Sequence, residues 1–257
     1  MTSHLFIITG ASRGMGYCLA EQLLAPGHQL LCISRTISSD LAAAAQRLGC
    51  HLQQLASDLS EPQHAAQQLA QWLAAQQPHE VASATLINNA GTIPPIVPLS
   101  ESDPADVSRA LRIGLEAPMV LTSAFLAATR PWQMNRPWQM NRRVLNISSG
   151  LGRRPMASQA AYCAAKAGMD HFTRCLALDE AALPHGAKVC SLAPGVIDTE
   201  MQQQLRSASP AQFPDQARFA QLKTDGQLTS AQAAAARVLA FLNRDDFGSQ
   251  AVADVRQ

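Results

Sequence analysis

Leu5-Phe6-Ile7-Ile8-Thr9-Gly10-Ala11-Ser12-Arg13-Gly14-Met15-Gly16 is the stretch from which the rest of this 257-residue chain is read. Leu5–Thr9 reads as a buried strand, and the helical pattern of Tyr17–Ala25 follows it across a turn rich in glycine. Glycines there permit a tight turn and let a diphosphate approach the backbone at the positive end of the next helix. Alone, the turn is equally compatible with an ordinary strand–helix connection. Its spacing, Gly-x3-Gly-x-Gly, also departs from the commoner Gly-x-Gly-x2-Gly.

Outward from this turn the alternation continues. Strands are expected at Gln29–Ser34, Cys50–Leu55, Thr85–Asn88, Val144–Ser148, Lys188–Leu192 and near Gln250–Ala253. Helices are expected at Leu41–Leu48, Gln63–Gln77, Ala105–Thr129 (interrupted at Gly114 and Pro118), Gln159–Ala182 and Ala231–Leu242. This is the pattern of an α/β fold: a single Rossmann-type, doubly wound parallel sheet of about seven strands with helices on both faces. The strand C-termini of such a sheet share one edge, where ligands bind. Beyond Pro194 the pattern weakens until Ala231.

Composition narrows the classes. Hydrophobic residues are 47% and charged ones 15%, enough for a large core, and 20 Lys+Arg against 19 Asp+Glu leave no electrostatic footprint for nucleic acid or an acidic membrane. The charge-free run Val81–Ser100 holds three prolines and two asparagines, unlike a membrane helix. The N-terminus lacks the basic and apolar regions of a signal peptide, and six scattered cysteines form no CxxC or Cys/His ligand spacing. A cytoplasmic protein with reduced thiols and no metal is expected. Arg130-Pro131-Trp132-Gln133-Met134-Asn135 is repeated letter for letter as Arg136–Asn141, which reads as a lengthened surface loop or a tryptophan-bearing contact for a partner.

Two groups of residues suggest chemistry. The second strand ends at Arg35, where a binder of NAD expects a carboxylate for the ribose 2′-hydroxyl, and Arg13 lies inside the glycine turn. Two guanidinium groups suit a 2′-phosphate, so NADP(H) is favoured unless both are ordinary surface arginines. Tyr162 and Lys166 lie one helical turn apart, and Ser149 ends a strand. A free tyrosine ionises near pH ~10, so moving its pKa to about 7 needs roughly 4 kcal/mol, which an ammonium and a bound nicotinamide cation would supply.

Together these pieces resemble the short-chain dehydrogenase/reductase family over essentially the whole chain. The matching residues are Thr9–Gly16, Asp58, Asn88-Asn89-Ala90-Gly91, Ser149, Tyr162-x3-Lys166 and Pro194-Gly195-Val196-Ile197-Asp198-Thr199. The resemblance implies one domain over residues 1–257, with about 195–228 covering the substrate. It implies Tyr162 as proton donor, Ser149 as the group polarising the carbonyl, and Lys166 as the residue that lowers the tyrosine pKa and holds the nicotinamide ribose. A dinucleotide would lie along Gly10, Ser12, Arg13, Gly14, Met15, Gly16, Arg35, Asp58, Leu59, Asn89, Ala90, Gly91, Tyr162, Lys166, Pro194, Gly195, Val196, Ile197 and Thr199.

Asn146–Ser149, Val196–Gln202 and the Lys-x-x-Gly-x-Leu of Lys223–Leu228 are similar to sepiapterin reductases and bacterial benzil reductases. That branch implies reduction of a compact diketone, an α-hydroxy-ketone or a pteridine side chain. Its pocket would be shaped by Ser149, Leu151, Met156, Gln159 and Met201, with Asp254 anchoring a pterin. The resemblance also implies a homodimer or homotetramer. Gly114 stands where the family has an asparagine that holds a relay water, so a non-catalytic NADP-binding sensor or scaffold is one alternative. A reductase of 3-oxoacyl thioesters is another.

Overall fold

The computed structural model describes residues 3–133 and 140–256. Its strands are Ser3–Thr9 (β1), His28–Ser34 (β2), His51–Ala56 (β3), Val81–Asn88 (β4), Asn141–Ile147 (β5), Lys188–Ala193 (β6) and Val252–Asp254 (β7). They pair in parallel in the order β3-β2-β1-β4-β5-β6-β7. The helices are Gly14–Gln22 (α1), Ser39–Leu48 (α2), Pro62–Ala74 (α3), Pro104–Leu111 (α4), Ala117–Thr129 (α5), Ala160–Ala181 (α6), Glu200–Ser207 (α7), Gln216–Thr224 (α8) and Ala231–Leu242 (α9).

Side-chain alternation in the strands builds two cores. Leu5 and Ile7 of β1, with Leu31 and Ile33 of β2, pack into the layer that holds Leu69 of α3 and Phe125 of α5. Phe6, Ile8, Leu30 and Cys32 pack on the opposite face with Leu19 of α1 and Val238 of α9. Burial on both faces is why these strands read as unbroken apolar runs. The strand order reverses at β1, so the chain leaves β1 and β4 toward opposite sides and opens a crevice at their C-terminal ends.

Differences from the expected elements have local causes. β4 begins at Val81, four residues before the apolar run, because Val81, Ser83 and Ala84 still pair with β1, the register shifting past Ala82. α7 and α8 were not expected: Met201 and Leu205 are the only apolar residues in the eight of α7, and the mixed composition of 216–224 carries no strong apolar period. The interruption at Gly114 is a single π-helical turn, Arg112–Glu116, and Pro118 falls in the first turn of α5, where its missing N–H costs no bond. Pro104–Trp132 is long and apolar enough to cross a membrane by length and composition, but its Leu121, Phe125 and Leu126 lie in the core against β-strand residues.

The duplicated hexamer corrects another expectation. Trp132 and Met140 are 8% and 1% exposed and belong to the core with Phe125, so neither forms a surface loop or a partner contact. Residues 134–139, including Trp138, lie outside the described residues. All six cysteines are free thiols.

Candidate active site

The crevice begins at the turn between β1 and α1. A Cβ on Gly16 would lie 2.2 Å from the Gly10 carbonyl oxygen and 2.4 Å from Asn89 Nδ2, so only glycine lets α1 start this close to the turn. Asn89 Nδ2 donates to the carbonyl oxygens of Thr9 (2.9 Å) and Gly10 (3.3 Å). Thr9 Oγ1 accepts from the N–H groups of Asn89 and Ala90, both at 3.0 Å. The ends of β1 and β4 are thereby tied together. No side chain caps α1, and a Cβ on Gly14 would meet nothing within 4 Å. Helix-end N–H donors thus face open space suited to a diphosphate.

This space continues into a cavity of about 780 Å³ along the strand ends. All the residues expected at a dinucleotide line it, from Gly10 in the turn, through Asp58 and Leu59 after β3, to Thr199 after β6. Arg35, at the end of β2, lines it with no ion-pair or side-chain hydrogen-bond partner among the described residues. Arg13 lines the cavity too but already has a partner. It reaches across the crevice to Glu200 of α7 at 2.5 Å. Both side chains are largely solvent-exposed, so the pair contributes at most about 1 kcal/mol. Glu200→Gln, which removes a carboxylate competing for Arg13, is expected to tighten binding of a phosphate-bearing dinucleotide by up to about fivefold. Weaker binding in a fluorescence titration would show that Glu200 supports the site instead.

Farther along, Ser149 follows β5 and its Oγ accepts from Leu151 N–H at 3.1 Å. Its hydroxyl faces the Tyr162 phenol of α6 closely enough to lower that group's pKa. Lys166, one turn later and 4% exposed, donates from Nζ to the Ile147 carbonyl oxygen at 2.7 Å and lies 5.9 Å from the Tyr162 ring centre. All three line the cavity.

The expected lowering of the tyrosine pKa is not present in the protein alone. Burial pushes the Tyr162 phenol up to about 12, opposed by the Ser149 hydroxyl and assisted by Cys163. Burial likewise pushes Lys166 down to about 8, with Asp170 opposing it. At neutral pH the pair is a phenol beside an ammonium.

Buried polar side chains, of which Thr122 and Thr173 were not singled out in the sequence, hold this arrangement in place. Asn88 Nδ2 donates to Asn146 Oδ1 (2.8 Å) and Thr122 Oγ1 (3.1 Å), and Asn146 Nδ2 donates to Thr173 Oγ1 (2.9 Å). This buried ladder joins β4 and β5 to α5 and α6. A lone asparagine inside Val144-Leu145-Asn146-Ile147 was the available signal, because a buried amide requires partners. Gly114 is buried, and a Cβ there would sit 3.0 Å from the Ala165 Cβ, beside Lys166. The missing side chain therefore lets the π turn approach α6, and an asparagine would enter an already filled contact rather than a vacancy.

Of the residues expected to shape a substrate pocket, Leu151, Met156 and Met201 line the cavity with Ser149. Gln159 does not: it is 1% exposed and donates to the Ser158 carbonyl oxygen at 2.7 Å. Asp254 does not either, because its carboxylate accepts two bonds from the Arg256 guanidinium, at 2.8 and 2.6 Å. Arg256 lines the cavity in its place.

Residues 195–228 lie over this end of the cavity. Leu205, Phe213 and Phe219 form a small core against Ile93 and Met156. Asp198 accepts from Lys223 and Arg206, which hold its carboxyl below the usual range, and Ile197 bridges to Thr229. These bonds give the Lys-x-x-Gly-x-Leu stretch its purpose as the clasp at the base of the segment. Among the described residues no group of His, Cys, Asp or Glu is arranged to hold a metal ion.

A family model described as short chain dehydrogenase matches residues 4–210. A benzil reductase ((S)-benzoin forming) of Bacillus cereus is 34% identical over 241 residues, covering 94% of this chain and 94% of that protein. A sepiapterin reductase of Meriones unguiculatus is 34% identical over 258 residues, covering 96% and 94%. A solved short chain dehydrogenase/reductase from Saccharomyces cerevisiae superposes with a TM-score of 0.81 at 21% identity, covering 99% of this chain and 97% of that one.

Proposed function

The chain belongs to the short chain dehydrogenase family of oxidoreductases, which bind NAD(P), and from that premise we propose that it uses NADPH to reduce a compact carbonyl compound to a secondary alcohol. The substrate classes named by its relatives, aryl diketones and pterins with a carbonyl side chain, are the first candidates. The observation that carries the proposal is the lining of a single cavity. Ser149, Tyr162 and Lys166 stand at one end of it, and Arg35, a cation without a partner among the described residues, at the other.

When bound, the nicotinamide supplies the hydride. The chain supplies the rest. The uncapped start of α1 receives the diphosphate, and Arg35 and Arg13 receive the 2′-phosphate. Ser149 Oγ donates to the substrate carbonyl oxygen and polarises it, and the Tyr162 phenol delivers its proton to that oxygen. Burial keeps this phenol protonated at neutral pH but makes it a weaker acid, so the Lys166 ammonium has to offset burial for the transfer to be fast. Lys166, cationic below about pH 8, orients the ribose and favours phenolate once the proton has left.

Two outcomes are expected. Arg35→Ala removes a charge-assisted bond of about 1.5–3 kcal/mol to the 2′-phosphate, so the preference for NADPH over NADH in kcat/KM falls about 10- to 150-fold. An unchanged preference would remove Arg35 from the phosphate site. Lys166 loses its proton as pH rises through about 8 while Tyr162 keeps its own, so the reduction rate should fall above pH 8 with a single-proton slope. A rate that climbs across that range contradicts the assigned role of Lys166.

A further inference from the structure

The cavity carries more positive charge than its dinucleotide end accounts for. Cations outnumber carboxylates on its wall seven to three, in a chain with 20 Lys+Arg and 19 Asp+Glu. Most of these cations have partners: Arg13 pairs with Glu200, Arg109 with Asp106 and Arg256 with Asp254, and Lys166 donates to the Ile147 carbonyl oxygen. Three arginines have no side-chain hydrogen bond or ion pair among the described residues. One is Arg35, at the adenosine end. The other two, Arg154 and Arg218, stand at the opposite end.

Arg154 follows the short turn that starts at Ser149. Its Nη2 lies 3.1 Å from where a Cβ on Gly150 would be, so the guanidinium rests against the residue next to Ser149. Arg218 projects from α8 of the covering segment, beside Phe219 and Leu222, which also line the cavity. Asp215, one turn earlier, is the carboxylate nearest to it in sequence and does not come within ion-pair distance. One cation therefore belongs to the floor beside the carbonyl-polarising serine and the other to the cover, with apolar Leu151, Met156, Phe219 and Leu222 on the same wall.

We propose that Arg154 and Arg218 form an anion subsite and that the substrate is a carbonyl compound carrying a carboxylate next to an apolar body. A guanidinium is weakly hydrated and meets a carboxylate through two parallel N–H donors, so each arginine gives up little on binding such a group. This rests on the carbonyl-reductase reading above but goes beyond it, since neither benzil nor sepiapterin demands a carboxylate clamp.

The matched probes are phenylglyoxylate and its methyl ester, which share the ketone and differ in charge. The ratio of their kcat/KM values is measured in the wild type, in Arg154→Ala and in Arg218→Ala, so that intrinsic carbonyl reactivity cancels. Each substitution is expected to lower the acid-to-ester ratio by about tenfold or more. An unchanged ratio in both variants overturns the subsite. A second arm needs no turnover. Benzoate and benzamide are titrated calorimetrically into the protein saturated with NADP⁺, and benzoate is expected to bind at least about tenfold more tightly, an advantage lost in the double variant. Equal binding of the two overturns the proposal. Failure to reduce either ketone, with benzoate still preferred, sinks the reductase reading and leaves the subsite standing.

Discussion

Tyr162→Phe is expected to lower kcat for carbonyl reduction by about 10²- to 10⁴-fold, the range that a positioned general acid contributes. NADPH affinity should change by less than about fivefold, the worth of one ordinary hydrogen bond. The split follows from the geometry. The phenol is buried beside Ser149, whereas the groups suited to the phosphates lie at the far end of the cavity. Phenylalanine has no proton to give, so a change of buffer pH does not restore the variant. Turnover within a factor of about three of the wild type would mean that water or another group delivers the proton. Tyr162 would then be a packing residue only.

Gly16→Ala should have the second-largest effect. The added Cβ meets a backbone carbonyl oxygen at 2.2 Å and the Asn89 amide at 2.4 Å; the first cannot swing away, and the second is tied to the Thr9 and Gly10 carbonyl oxygens. Overpacking of this kind costs about 3 kcal/mol. If the fold absorbs it, Tm falls by about 6–12 °C. If the turn yields instead, the donors at the start of α1 move and the NADPH Kd rises about a hundredfold. Gly14→Ala is the control. Its Cβ meets nothing within 4 Å, but φ of +57° costs an L-residue about 1–2 kcal/mol. Thermal melting and NADPH titration of both variants separate collision from backbone strain. Wild-type values for Gly16→Ala in both measurements would show that the turn is looser than described.

The parts of this molecule that were legible in its sequence are those whose physics is local. Leu5–Gly16 announces a buried strand, a turn and a helix start because each needs particular residue types in order, and the same logic locates Arg35, Ser149, Tyr162 and Lys166 at strand ends or on the following helix. What escaped depends on tertiary partners. The amide of Gln159 turns to a neighbouring carbonyl oxygen, and the carboxylate of Asp254 is taken by an arginine two residues away, which no one-dimensional pattern reveals. Trp132 reads as loop because its flanks are Pro and Gln, yet the end of α5 carries it into the core. α7 and α8 escaped because their stability rests on the small Leu205–Phe213–Phe219 core and the Asp198 clasp rather than on an apolar stripe. The upward push on the Tyr162 pKa in the protein alone escaped for the same reason: proximity to Lys166 is visible in sequence, but burial is not.

The central claim is that this cavity reduces carbonyl groups at the expense of NADPH, and the loss of reduced-nicotinamide absorbance on adding benzil tests it most directly. The account predicts turnover with one NADPH consumed per carbonyl reduced, faster with NADPH than with NADH and abolished by Tyr162→Phe. Tight NADPH binding with no absorbance change on benzil, sepiapterin or phenylglyoxylate would contradict it and leave a dinucleotide-binding protein without this chemistry.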